Sequence, residues 1–165
     1  MNSMTGINTT EISISGLAHI GIRVSDFKSA IGFYSQLGFK LIRDDMYERV
    51  VVLKHSSGIE INLLDSVNSK VNDRNVLMDQ PVRFAGYTHM ALRVDDVYQS
   101  ADAIRAMDIE ITEGPVTFGD GSTSIFLRDP DRNVIELSQP LQVDKLQDDV
   151  SHNDVSLGLQ KESVL

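Results

Sequence analysis

The chain has no cysteine and no tryptophan, and its aromatic residues make up only 6% of the whole. Without cysteine there is no disulfide frame, no thiol nucleophile and no thiolate metal ligand, which fits a reducing cytoplasm. Positive charge is also scarce: Lys and Arg number 15 against 24 Asp and Glu, for a net charge of -9. Such a surface opposes nucleic acid and anionic membranes. No run approaches the ~18 consecutive apolar residues of a membrane helix. Residues 1–15 lack the charged-then-apolar order of a signal peptide. What remains is a chain of 165 residues with 41% hydrophobic content. That suits one compact domain, or two small modules sharing a core.

The dominant feature is a repeated stretch. Leu17 to Asp26 reads L-A-H-I-G-I-R-V-S-D, and Tyr87 to Asp96 reads Y-T-H-M-A-L-R-V-D-D. Each places an Arg four residues after a His and ends in an acidic turn. The alternation is that of a strand. Ala18, Ile20, Ile22 and Val24 face one way, and His19, Gly21 and Arg23 the other. Met90, Leu92 and Val94 likewise oppose His89, Ala91 and Arg93. A His-bearing strand built twice indicates a duplication.

The rest divides accordingly. Residues 1–16 read as a leader, with Ile12 and Ile14 placed to join a sheet edge. In the first module, 17–65, strand Leu17–Val24 is followed by a helix capped by Ser25 or Asp26. Phe27, Ala30, Ile31, Tyr34 and Leu37 recur at helical spacing, and Gly38 ends the helix. Strands follow at Phe39–Arg43, Val50–Lys54 and Ile59–Leu64. Residues 66–86 read as a linker. The second module, 87–139, repeats the order: strand Tyr87–Val94, a helix with Val97, Ala101, Ile104 and Met107 on its stripe, then strands Ile109–Thr112, Thr123–Arg128 and Asn133–Ser138. Glu113 to Ser122 holds three Gly and one Pro and reads as a mobile loop. In the turn Asp129–Asn133, Asn133 is the residue expected to adopt the left-handed conformation. Residues 140–165, with His152, read as a flexible tail. The fold class is α+β, two βαβββ modules.

Each module therefore opens with a His and closes with a strand carrying a Glu: Glu60 between Ile59 and Ile61, Glu136 between Ile135 and Leu137. Carboxylates among apolar residues are costly to bury unless something cationic offsets the cost. If first and last strands adjoin, His19 with Glu60 and His89 with Glu136 make two half-sites. Two imidazoles and two carboxylates suit a divalent transition metal with room for substrate. Imidazole accepts Zn, Ni, Co and Fe(II) alike, and an open coordination position would polarise a carbonyl or stabilise an enediolate. Arg23 shares the His19 face, and Asn62 shares the Glu60 face.

The motifs H-I-G-I-R-V-S-D, S-A-I-G-F-Y-S-Q-L-G-F, G-I-E-I-N-L-L, T-H-M-A-L-R-V-D-D and R-D-P-D-R-N-V-I-E-L together resemble the vicinal oxygen chelate superfamily, which groups glyoxalases, bleomycin-resistance proteins and dioxygenases. The resemblance covers roughly Leu17 to Gln139 and implies cup-shaped mixed sheets. The His-Glu-His-Glu set is most similar to glyoxalase I, lactoylglutathione lyase. That resemblance implies His19, Glu60, His89 and Glu136 as ligands of one divalent metal ion per site (Ni, Co, Zn, Mn or Fe(II)). It makes Glu60 or Glu136 the catalytic base that moves a proton between adjacent carbons of a hemithioacetal, through a metal-bound enediolate. Arg23 falls where glyoxalase I holds the glutathione carboxylate. It further implies a small-molecule substrate, a glutathione conjugate among the candidates, and a homodimer in which one subunit gives His19 and Glu60, the other His89 and Glu136. Two departures stand out: Leu64 occupies the place of an Asn that helps hold glutathione, and Arg132 occupies a place usually held by Gly. An extradiol dioxygenase, with two His and one Glu on Fe(II), is the alternative enzyme. A drug-binding protein of the same superfamily is the non-enzyme alternative.

Overall fold

The computed structural model describes residues 12–45, 47–66 and 74–141. In the first module, β1 (Ile20–Val24) leads into α1 (Phe27–Gln36), then β2 (Lys40–Asp45), β3 (Val50–Lys54) and β4 (Glu60–Asp65). The second repeats it with β5 (His89–Arg93), α2 (Val97–Ala106), β6 (Ile111–Thr117), β7 (Thr123–Arg128) and β8 (Val134–Gln139). Each module forms one four-stranded mixed sheet, ordered β1-β4-β3-β2 and β5-β8-β7-β6. The first strand runs parallel to the last in each, and the other pairs are antiparallel. This closing parallel pair brings the repeated His strand beside the Glu strand.

Local chemistry explains the elements. Asp26 accepts from Ser29 N at 2.7 Å and starts α1. Asp96 accepts from both Tyr98 N and Gln99 N and starts α2. Each helix buries one stripe: Ala30, Phe33 and Tyr34 from α1, and Val97, Ala101 and Ile104 from α2. These pack with Val51, Leu53, Ile61 and Leu63 of one sheet and Ile125, Leu127, Ile135 and Leu137 of the other in one apolar cluster. Met107, expected on that stripe, is 39% exposed.

The modules are joined by polar contacts at the turn after β7. The Tyr34 hydroxyl, fully buried, donates to Asp129 Oδ2 at 2.9 Å. Asp129 also accepts from Asp131 N, Asn133 N and Asn133 Nδ2. Asp131 in turn accepts from Ser25 N at 3.1 Å. Burial raises the Asp129 carboxyl above its ordinary 3.8 despite these donors. Burial, and then the Asp129 charge, push the Tyr34 hydroxyl well above 10.

Four expectations are corrected. Ile12 and Ile14 are 86% and 83% exposed and join no strand. Half of the loop expected over 113–122 is strand: β6 runs to Thr117, and 118–122 turn. Pro115 is tolerated because β6 is an edge strand with register shifts around Glu113 and Val116. Gly114 is required there, since its φ is +98° and a Cβ would lie 2.5 Å from Ser124 O. The left-handed residue of the 129–133 turn is Arg132, with φ 67°, not Asn133. Finally, 74–86 is more than a tether: Asn75 is buried, and Asp79, which it engages, pairs with Arg128 at 3.0 Å. The leader up to residue 11, residues 67–73 and the tail from 142, including His152, lie outside the described residues.

Candidate metal centre

The alternation of β5 and β8 puts His89, Ala91, Glu136 and Ser138 on one face, opposite the helix. There His89 Nε2 lies 3.0 Å from Glu136 Oε2. The other carboxylate oxygen accepts from Ser124 Oγ at 2.6 Å, and the Ser138 hydroxyl stands 3.0 Å from Ser124 Oγ. Thr88 Oγ1 is 2.9 Å from His89 Nδ1. Phe126 meets the His89 ring edge-on at 6.1 Å. Both oxygens of Glu136 and both nitrogens of His89 are thus held in place. The Glu136 side chain is 12% exposed and that of His89 37%, so the carboxylate is largely buried while the imidazole reaches solvent.

The first module is built differently on the equivalent face. His19 is exposed and immediately precedes β1. Continuing the register from Ile20 opposite Ile61 sets His19 beside Glu60. Their side chains nevertheless form no ion pair among the described residues. Glu60 approaches its cross-strand neighbour Lys54 instead, at 3.9 Å. Arg23 is exposed on the His19 face, opposite Leu64. Leu64 leans over Gly21, so that a Cβ there would lie 3.3 Å from its Cδ1. His19, Arg23 and His89 all border a cavity of about 820 Å³ between the modules. Glu60 and Glu136 do not line it.

Sequence similarity makes Glu60 and Glu136 look equivalent, but strand pairing does not. In the first sheet Ile61 sits between Ile20 and Leu53. In the second, Ile135 sits between Met90 and Leu127. Gly58 and Arg132, both with positive φ, each lie three residues before that isoleucine. The counterpart of Glu136 is therefore Asn62, and the counterpart of Glu60 is Val134. Asn62 Oδ1 is buried without a hydrogen-bond partner. Sequence reasoning passed over Ser124, which holds Glu136. A serine on the same face as the acid, in the neighbouring strand, was the available signal.

The donors fit a divalent ion in part. His89 and Glu136 bring a nitrogen and an oxygen within 3.0 Å of each other, and the first module carries His19 and the unpartnered Asn62 oxygen on its equivalent face. Among the described residues no three His, Asp or Glu side chains of one chain converge to hold a metal.

Paired βαβββ modules, each closing into one four-stranded mixed sheet, define the vicinal oxygen chelate fold. The chain belongs to the Glyoxalase/Bleomycin resistance protein/Dioxygenase superfamily, whose family model matches residues 16–137. It is 32% identical over 135 residues to a probable lactoylglutathione lyase of Vibrio cholerae, covering 76% of this chain and 91% of that one. It is 30% identical over 129 residues to a probable lactoylglutathione lyase of Synechocystis, covering 74% and 94%. Among solved structures it resembles a virulence protein from Salmonella typhimurium, with TM-score 0.58, 27% identity and coverage of 79% and 100%. No helix among the described residues is long and apolar enough to cross a membrane.

Proposed function

We propose that the chain is a metal-dependent lyase of the glyoxalase I type, working as a cytoplasmic homodimer with sites shared between subunits. The observation that carries this is the His89–Glu136 pair, fixed at 3.0 Å with Ser124 behind it. Relatives named as lactoylglutathione lyases support the reaction class. In this reading His89 and Glu136 of one subunit and His19 of the other hold the ion, and Ni, Co, Zn, Mn and Fe(II) all suit such donors. When bound, the ion supplies Lewis-acid stabilisation of charge on the substrate oxygens.

The residues then divide the work. Glu136 takes a proton from the hydroxyl-bearing carbon of a thiol–aldehyde hemithioacetal and returns it to the neighbouring carbon. Ser124 keeps the carboxylate aimed while the proton is away. Arg23, exposed on the His19 face, takes a carboxylate of the thiol partner. Leu64, paired opposite Arg23, supplies no second polar hold there. Glu60 stays at the margin of the site beside Lys54.

The test is elemental analysis coupled to a methylglyoxal and thiol assay across the added metals. Metal-dependent hemithioacetal isomerisation that disappears in Glu136→Gln is the expected result; full activity in that variant overturns the proposal. The Lys54–Glu60 contact favours one second reading, because two His and one carboxylate remain to hold Fe(II). Oxygen uptake with a catechol and Fe(II) identifies that dioxygenase. A chain that takes up no metal at all overturns both enzyme readings and favours the drug-binding alternative.

A further inference from the structure

We infer that Asn62, not Glu60, supplies the last-strand donor of the first module, through its side-chain oxygen. This rests on the metal-dependent reading above and assigns a residue within it. Three observations converge. The first is register: Asn62 is to Ile61 and Leu63 what Glu136 is to Ile135 and Leu137, and in both sheets those flanking residues are buried.

The second is the pattern of neighbours. Glu136 is held by Ser124, whose own strand partner is Ser138. The same two places in the first module are Val50 and its partner Leu64. Strand neighbours that offer hydroxyls to the acid in one module offer only methyl groups to the amide in the other. The directly paired neighbours of Asn62 are Gly21 and Val52, which bring no polar side chain either.

The third is the consequence: Asn62 Oδ1 is buried and unpartnered. A buried carbonyl oxygen without a donor costs stability and calls for a partner, which a bound cation would supply. The oxygen lies on the face that carries His19, diagonal to it by the step that separates Glu136 from His89. The assembled donor set is then two imidazoles, one carboxylate and one neutral amide. A divalent ion so held keeps a net positive charge, and Glu136 is left as the only acid among the four donors. A single base follows from this, placed on the second module.

The experiment titrates Co²⁺ alone into the full chain by calorimetry and by visible absorption, comparing wild type with Asn62→Leu, Asn62→Asp and Glu60→Gln. Urea midpoints are measured without metal in parallel. Expected is Co²⁺ affinity about tenfold or more weaker in Asn62→Leu, and tighter in Asn62→Asp with an altered absorption band. Glu60→Gln matches wild type within about twofold, since its carboxylate lies outside the proposed set. Metal-free Asn62→Leu unfolds at a higher urea concentration than wild type, because an unpaired polar atom is gone. Weakened Co²⁺ binding in Glu60→Gln with unchanged binding in Asn62→Leu overturns the inference. So does a metal-free Asn62→Leu less stable than wild type. If wild type binds Co²⁺ as described but isomerises no hemithioacetal, the proposed reaction fails and the Asn62 assignment stands. If wild type binds no Co²⁺, both fall.

Discussion

Tyr34→Phe removes one hydroxyl from the joint between the modules and leaves the ring. That hydroxyl donates to Asp129 Oδ2 at 2.9 Å in a fully buried setting. A hydrogen bond to a charged acceptor contributes about 1.5–3 kcal/mol. Asp129 keeps its three donors from Asp131 and Asn133, so it is not stranded and the loss falls near the lower end. With a urea slope of about 1–3 kcal/mol per molar, the midpoint drops by roughly 1 M. The effect also depends on pH with a definite sign. Burial holds Asp129 above its ordinary 3.8, and the Tyr34 donor pulls the other way. A carboxyl whose folded value is raised contributes stability that is full below its unfolded value and is lost as pH rises through the folded value. Removing Tyr34's donor raises Asp129 further, so the variant loses more at neutral pH. The gap to wild type narrows in acid, because both proteins have taken up the Asp129 proton before the pH falls to the ordinary 3.8. Urea unfolding at neutral pH and in acid reads this directly. A gap that is absent at neutral pH, or equally wide in acid, refutes the reasoning.

Ser124→Ala strips the 2.6 Å hydrogen bond from Glu136 and is expected to weaken Co²⁺ binding about 10–100-fold while the far-ultraviolet circular dichroism stays as in wild type. Asp96→Ala removes the acceptor of Tyr98 N and Gln99 N at the start of α2 and costs about 1 kcal/mol in urea unfolding. Gly114→Ala forces a Cβ to 2.5 Å from Ser124 O at φ +98°, and a loss of at least about 2 kcal/mol is expected. Arg132→Gly relieves a left-handed φ of 67° and should stabilise by about 1 kcal/mol, read as a higher melting temperature.

Much of the fold was legible because the duplication repeats its own punctuation. Asp26 and Asp96 cap the two helices, and β3 and β7 match the expected strands residue for residue. That His89 and Glu136 share a face was legible for the same reason: alternation fixes which face each side chain takes. Three things were not. Strand β6 reads as a loop because Gly114 and Pro115 carry turn chemistry, and only its edge position and bulged pairing make a strand of it. The left-handed place in the 129–133 turn fell to Arg132 rather than the more tolerant Asn133, because the Asp129 carboxylate fixes the turn by accepting from Asp131 N and Asn133 N. The equivalence of Glu60 with Glu136 looked sound because both follow an isoleucine. Pairing register is set by the hairpin before each strand, and counting four residues on from Gly58 and from Arg132 reaches Asn62 and Glu136.

The central claim is that a cation is held by His89 and Glu136 together with donors of the first module from a second copy. The direct measurement is metal content after loading with Ni²⁺ or Co²⁺ and exhaustive dialysis, on wild type and on a mixed dimer of His19→Ala with His89→Ala subunits. The account predicts a single ion per chain in wild type. In the mixed dimer one of the two sites collects both lesions and the other keeps all its donors, so half the metal survives. Metal content in the mixed dimer equal to that of wild type, or falling to that of a His19→Ala, His89→Ala double variant, would contradict it.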